Sequence, residues 1–186
     1  MADVLLFHHA LGLTDGVRAF ADEIQAAGHH VTVPDLYDGR TFASIEAGVA
    51  HAEQLGFEAI IADGVSVAEG LREDLVYAGF SLGVMPAQWL AQRRPGARGA
   101  LLYHAAVPIE QFGESWPEDV PLQMHIMVDD PFDDLEVMED LAVRGGQLYT
   151  YPGAAHLFTD RSFSDYDPDA AQLVMQRTQD FLAGLE

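Results

Sequence analysis

The chain of 186 residues contains no cysteine and no lysine. Without cysteine there is no disulfide framework, no thiolate nucleophile and no cysteine-ligated metal site. Without lysine there is no Schiff-base amine and no P-loop lysine to hold a nucleotide phosphate. Basic residues of any kind are scarce, with nine arginines against 30 acidic residues and a formal charge of -21. Such a surface repels phosphate backbones and anionic lipid, so neither nucleic acid nor a membrane surface is expected as a partner. The same composition fits a biased genome and a salty cytoplasm equally well. Long apolar runs are missing too, since none approaches the roughly 18 residues of a membrane-spanning helix. The opening "MADVLLFHHALG" has neither the basic region nor the small-residue cleavage site of a signal peptide. The expectation is a soluble, cytoplasmic protein whose length suits one α/β domain over residues 1–186.

What is present is an alternation. Strand-like apolar runs begin at Asp3 ("DVLLFHH"), His30 ("HVTVP"), Leu75 ("LVYAGF"), Ala97 ("ARGALLYHAA"), Leu122 ("LQMHIMV") and Gln147 ("QLYTYPG"). Helix-like segments lie between most of them. "GVRAFADEIQAAG" stops at Gly28, a C-terminal cap, and "SIEAGVAHAEQLG" with "FEAIIADGVSVAEGL" reads as one or two further helices. "AAQLVMQRTQDFLAGL" closes the chain as an amphipathic helix. Strands alternating with helices of this length predict an α/β fold, a mainly parallel sheet with helices on both faces.

In such sheets ligands bind at the carboxyl ends of the strands, so the residues leaving each strand carry the functional information. After the first strand, "HHALGLTDG" lacks both G-x-G-x-x-G and G-x-x-x-x-G-K-[ST], and no cofactor is expected. After the third, "GFSLG" from Gly79 to Gly83 reads G-x-S-x-G, the signature of a strained strand-to-helix turn that exposes a serine, here Ser81. After the fifth, "MVDDPFDD" presents the carboxylates Asp129, Asp130, Asp133 and Asp134. After the sixth, "YPGAAHLF" presents His156. Serine, acid, histidine is the chain order of the α/β-hydrolase triad. A base makes a serine hydroxyl nucleophilic, and an acid orients that base and stabilises its imidazolium.

These segments together resemble the dienelactone hydrolase family of α/β-hydrolases over nearly the whole chain. "HHALGLTDGVRAFADEIQAAGHHVTVPDLYDGR" resembles the family's first strand, loop, helix and second strand, and "YAGFSLG" its nucleophile turn. "HIMVDDPF" matches its H-x-x-x-x-D acid strand, and "YPGAAHLF" its Y-x-G-A-x-H-x-F histidine loop. The resemblance implies an α/β-hydrolase fold with Ser81 as nucleophile, Asp130 as acid and His156 as base. It also implies backbone N–H donors for an oxyanion at Ala10 and Leu82. The implied activity is hydrolysis of a small ester or lactone. A non-catalytic small-molecule binding module on the same scaffold is the alternative.

Two departures from the family stand out. Its best-known members use cysteine with a glutamate in the loop after the first strand, whereas this chain has Ser81 and His9. They also carry an arginine shortly after the catalytic histidine to hold a substrate carboxylate. Here Arg161 is one place out of register, behind Asp160. Both departures point away from dienelactone itself and leave esters and lactones in general.

The remaining candidates are assigned by position. Asp133 and Asp134 follow Pro131 where "DDLEVMEDLAV" begins, a place where carboxylates cap a helix. Asp129 and Asp130 are consecutive, so only one faces the histidine, and Pro131 holds Asp130 extended. The segment Val107–Val120, "VPIEQFGESWPEDV", is too short for a lid domain, which predicts an open, shallow cleft with Phe112 and Trp116 as wall candidates. His9, His104 and Arg161 are pocket candidates, and His125 is read as a core histidine. The pairs His8/His9 and His29/His30 diverge on their strands, so no metal site is expected. "DYDPDA" from Asp165 lacks the glycine and glutamate of a calcium loop and reads as a solvated loop.

Overall fold

The computed structural model describes residues 1–132 and 135–185. Each strand-like run forms a strand: β1 Asp3–Phe7, β2 His30–Thr32, β3 Leu75–Phe80, β4 Gly99–Tyr103, β5 Leu122–Met127 and β6 Gln147–Tyr151. All neighbouring pairs are parallel, in the order β2-β1-β3-β4-β5-β6. The helices are α1 Asp15–Ala26, α2 Ile45–Leu55, α3 Phe57–Glu69, α4 Val84–Arg93, α5 Leu135–Val143 and α6 Pro168–Gly184.

The period-2 alternation of side chains divides the core into two layers. Leu5 and Phe7 of β1, Leu75 and Tyr77 of β3, and Ala100 and Leu102 of β4 face α3, α4 and α5 through Ala68, Leu90, Met138 and Leu141. Their neighbours Val4, Leu6, Val76, Ala78, Leu101 and Tyr103 face α1 and α6 through Val17, Phe20, Ile24, Val174 and Leu182. On this second face the ring partners Phe80, Tyr103, His125 and Tyr149 stand in register across four strands. They stack with centroids 4.8, 5.5 and 5.4 Å apart. The guanidinium of Arg177, on α6, lies 4.1 Å over the last ring. Cross-strand aromatic pairs of this kind fix strand register and thereby the heights of the strand ends.

Capping fixes the helix boundaries. Thr14 accepts from Val17 N–H at the start of α1, and Ser44 from Ala47 N–H at the start of α2. Gly56, at φ +89°, separates α2 from α3, so the two segments between β2 and β3 are two helices. "DYDPDA" is only half loop. Asp167 accepts from the N–H groups of Asp169 and Ala170, and Pro168 opens α6, so the helix starts earlier than the apolar pattern indicates. The expected helix caps Asp133 and Asp134 lie outside the described residues. Among the described residues no helix is long and apolar enough to cross a membrane. Between β4 and β5 the chain makes a single 3-10 turn, Ile109–Gln111, and no lid.

The strand order reverses between β1 and β3: the chain leaves β1 toward β2 on one side and builds β3 to β6 on the other. A crevice opens at such a switch point. The loops leaving β1 and β3, with His9 and Ser81, meet there.

Candidate active site

Ser81 follows β3 in a 3-10 turn over Ser81–Gly83 that runs directly into α4. Its φ is +48°, a conformation L-residues adopt only under constraint. The two glycines of G-x-S-x-G are each required by a close approach. A Cβ on Gly79 would overlap the carbonyl of Gly83, and a Cβ on Gly83 would sit 2.5 Å from Phe7 O and 2.6 Å from His8 O. The turn is therefore pressed against the end of β1.

Ser81 Oγ lies 2.7 Å from His156 Nε2. On the other side of the imidazole, Nδ1 lies 2.7 Å from Asp130 Oδ2 and 2.9 Å from Asp130 Oδ1. A carboxylate only accepts, so Nδ1 carries the proton and Nε2 presents its lone pair to the serine. The His156 and Asp130 side chains are 3% and 1% exposed. Asp130 Oδ1 also accepts from Phe132 N–H at 2.9 Å, an Asx-turn made just past Pro131. Asp129 is exposed, and its N–H continues the ladder to Gly153 O. Of the adjacent pair only Asp130 reaches His156.

Ala10 is buried in the loop after β1, and among the described residues its N–H has no hydrogen-bond acceptor. Leu82 N–H belongs to the first turn after β3, where helical amides have no partner one turn back. Leu11 and Leu157, each one residue beyond Ala10 and His156, pack with Ile45 of α2, so apolar contact joins the two loops.

The three pocket candidates occupy different places. His9 is buried, with Nε2 2.7 Å from Asp160 Oδ2. His104 is fully buried behind His156, ring centroids 6.0 Å apart, and its Nε2 pairs with Thr159 Oγ1 at 2.8 Å. It packs beneath the site instead of lining a cleft. Burial, together with His156, His9 and His125, holds its imidazole well below the ordinary range. Arg161 is 58% exposed and points to Glu23 of α1, 4.0 Å away. It lines a groove between α1 and α6 that includes none of Ser81, His156 and Asp130.

The two aromatic wall candidates also lie elsewhere. Phe112 is buried and, with Trp89 and Ile61, lines a groove beside α3. Trp116 donates Nε1–H to Val120 O and closes its own loop. The aromatic that does flank His156 is Phe132, 51% exposed, with its ring 5.2 Å from the imidazole. No sequence signal singled it out, since one phenylalanine after a proline is ordinary loop composition. His125 is a satisfied core histidine, bonded to Tyr151 Oη and Gln123 Oε1.

A family model matches residues 2–185, and its family is the dienelactone hydrolases. The chain belongs to the dienelactone hydrolase family. Solved structures agree on the fold. A dienelactone hydrolase-like promiscuous phosphotriesterase from metagenomic libraries superposes with a TM-score of 0.77 at 18% identity, over 100% of this chain and 87% of that one. A dienelactone hydrolase from Anabaena variabilis superposes at 0.72 and 18% identity, over 99% of this chain and 86% of that one. Among curated proteins none matches. The six-stranded parallel sheet flanked by helices is thus the α/β-hydrolase architecture of this family.

Proposed function

We propose that the protein is a serine hydrolase that cleaves a small, neutral ester or lactone, with Ser81 as nucleophile, His156 as general base and Asp130 as orienting acid. The observation that carries this reading is the hydrogen-bonded chain from Ser81 Oγ through His156 to Asp130, with contacts of 2.7 Å on both sides of the ring. Family membership supports the reaction class.

His156 Nε2 takes the proton as Ser81 Oγ attacks the carbonyl carbon. The resulting imidazolium is stabilised by the Asp130 carboxylate. The amides of Ala10 and Leu82 donate to the oxygen that becomes negative, a contribution typically worth about a hundred- to a thousandfold per donor. His156 then gives its proton to the leaving alkoxide, which departs and leaves an acyl-serine. Water, deprotonated by the same imidazole, attacks the acyl carbon, the bond to Ser81 Oγ breaks as His156 returns the proton to that oxygen, and the acid is released. Phe132 supplies an apolar wall beside the base. With Arg161 directed at Glu23, nothing in its position favours a substrate carboxylate.

A fluorophosphonate probe reacts only with an activated serine and is the direct test. The wild-type chain is expected to label and Ser81→Ala not to, with circular dichroism unchanged. A panel of short acyl esters, thioesters and lactones then defines the substrate. Absence of labelling and of turnover across the panel would leave a non-catalytic binding module.

A further inference from the structure

The site contains a second buried histidine–aspartate pair. His9 and Asp160 are 1% and 2% exposed at their side chains and 2.7 Å apart. His9 Nδ1 accepts from Leu11 N–H at 3.3 Å, so the ring proton sits on Nε2 and is donated to Asp160. Asp160 Oδ2 accepts in addition from Thr14 Oγ1 at 2.6 Å. Its Oδ1 accepts from Ser162 N–H at 2.8 Å and Ser162 Oγ at 2.6 Å. The carboxylate packs so closely on the first turn of α1 that any Cβ on Gly16 would overlap it. Burial pushes this carboxyl up, but the bonds from His9, Ser162 and Thr14 outweigh burial and hold it below the ordinary carboxylate range.

The pair joins the two halves of the site. His9 immediately precedes Ala10, and Asp160 comes four residues after His156, with its N–H bonded to Leu157 O. The carbonyl of His9 accepts from His8 Nδ1 at 2.8 Å and from Gly12 N–H at 3.0 Å. That carbonyl and the Ala10 N–H belong to one planar trans peptide and point in opposite directions. The contacts to that carbonyl therefore aim the Ala10 amide, and the bond from the His9 side chain to Asp160 anchors the residue that carries it.

We propose that Asp160, acting through His9, is a positioning residue that holds the Ala10 amide in register with His156. This rests on the hydrolase reading above and assigns the pair to stabilisation of the transition state, not to binding of substrate. Asp160 occupies the site with four accepted bonds that an asparagine cannot reproduce, because its amide group would face donors on one side.

The test uses the full chain with p-nitrophenyl acetate as substrate, phenylboronic acid as a tetrahedral-adduct inhibitor and fluorophosphonate labelling. Three variants separate the contacts. His9→Gln keeps an N–H near the place of Nε2, His9→Asn keeps only the acceptor for Leu11 N–H, and Asp160→Asn removes the carboxylate. Asp160→Asn and His9→Asn are expected to lose about 30-fold or more in kcat with KM within about threefold, and the boronate Ki should rise in parallel. His9→Gln is expected to retain most of kcat. If Asp160→Asn does not fold, the two His9 variants make the same comparison. Folded variants with kcat near wild type, a loss confined to KM, or equal losses in His9→Gln and His9→Asn would overturn the inference. A wild-type chain that fails to label overturns the hydrolase reading instead.

Discussion

Replacing Asp130 by asparagine changes one atom, and the contacts indicate which way the new amide turns. Asp130 Oδ1 accepts from Phe132 N–H at 2.9 Å, and Oδ2 makes the closer contact to His156 Nδ1 at 2.7 Å. The asparagine oxygen is held by the Phe132 amide, so its NH2 takes the place of Oδ2 and donates to Nδ1. That forces the ring proton onto Nε2, where it faces Ser81 and can no longer accept. The base is lost together with the charge that stabilised its imidazolium, so turnover should fall by about a thousandfold or more, equivalent to about 4 kcal/mol at 1.36 kcal/mol per tenfold. Asp129→Asn, at an exposed position whose backbone makes the ladder contact, should lose less than about tenfold. Steady-state kinetics on both variants, with circular dichroism to confirm folding, decides the matter. Comparable losses, or a larger one at Asp129, would refute the assignment of the acid.

Other outcomes follow from neighbouring contacts. Gly83→Ala should lower stability by about 1–3 kcal/mol in urea unfolding, because its Cβ meets the Phe7 and His8 carbonyls. Phe132→Ala should raise KM for esters with bulky apolar groups by about tenfold while leaving that for acetate esters nearly unchanged, consistent with about 1–2 kcal/mol of apolar burial. Arg161→Ala should leave the ratio of neutral to carboxylated ester turnover unaltered, and a lost preference for carboxylated esters would show that the side chain reaches the cleft. Burial holds His8 down to about 4 and His125 down to about 3. The unfolded chain therefore binds more protons below about pH 6.5, and stability should be full above that value and decline toward pH 4. The slope is about 1.4 kcal/mol per pH unit for each such histidine. A melting temperature flat between pH 4.5 and 6.5 would contradict this.

The strands were legible because each core strand alternates between two buried layers, and the G-x-S-x-G turn because two glycines are forced at fixed spacing by backbone contact. Asp130 was singled out by the resemblance and by Pro131, which restricts its backbone, whereas the Phe132 N–H that holds its carboxylate became visible only in the structure. What escaped the sequence is long-range. Nothing in "TDRSF" announces that Asp160 pairs with His9, since the two are brought together only when the ends of β1 and β6 are set by the sheet. Arg161 could be numbered against the histidine, but its direction depends on Glu23 across α1. The start of α6 was hidden in a polar run, because Asp167 and Pro168 act through capping geometry and carry no apolar periodicity.

The contact between Gly83 and the carbonyls of Phe7 and His8 bears on how such a site changes. With no room for a single methyl group between them, the turn that carries Ser81 and the end of β1 are packed backbone against backbone, and a change of shape in one has to be matched by the other. New substrate preference in this scaffold is then open mainly to side chains outside those two segments. In the segment after β5, Phe132, half exposed with its ring 5.2 Å from that of His156, is the first position to randomise.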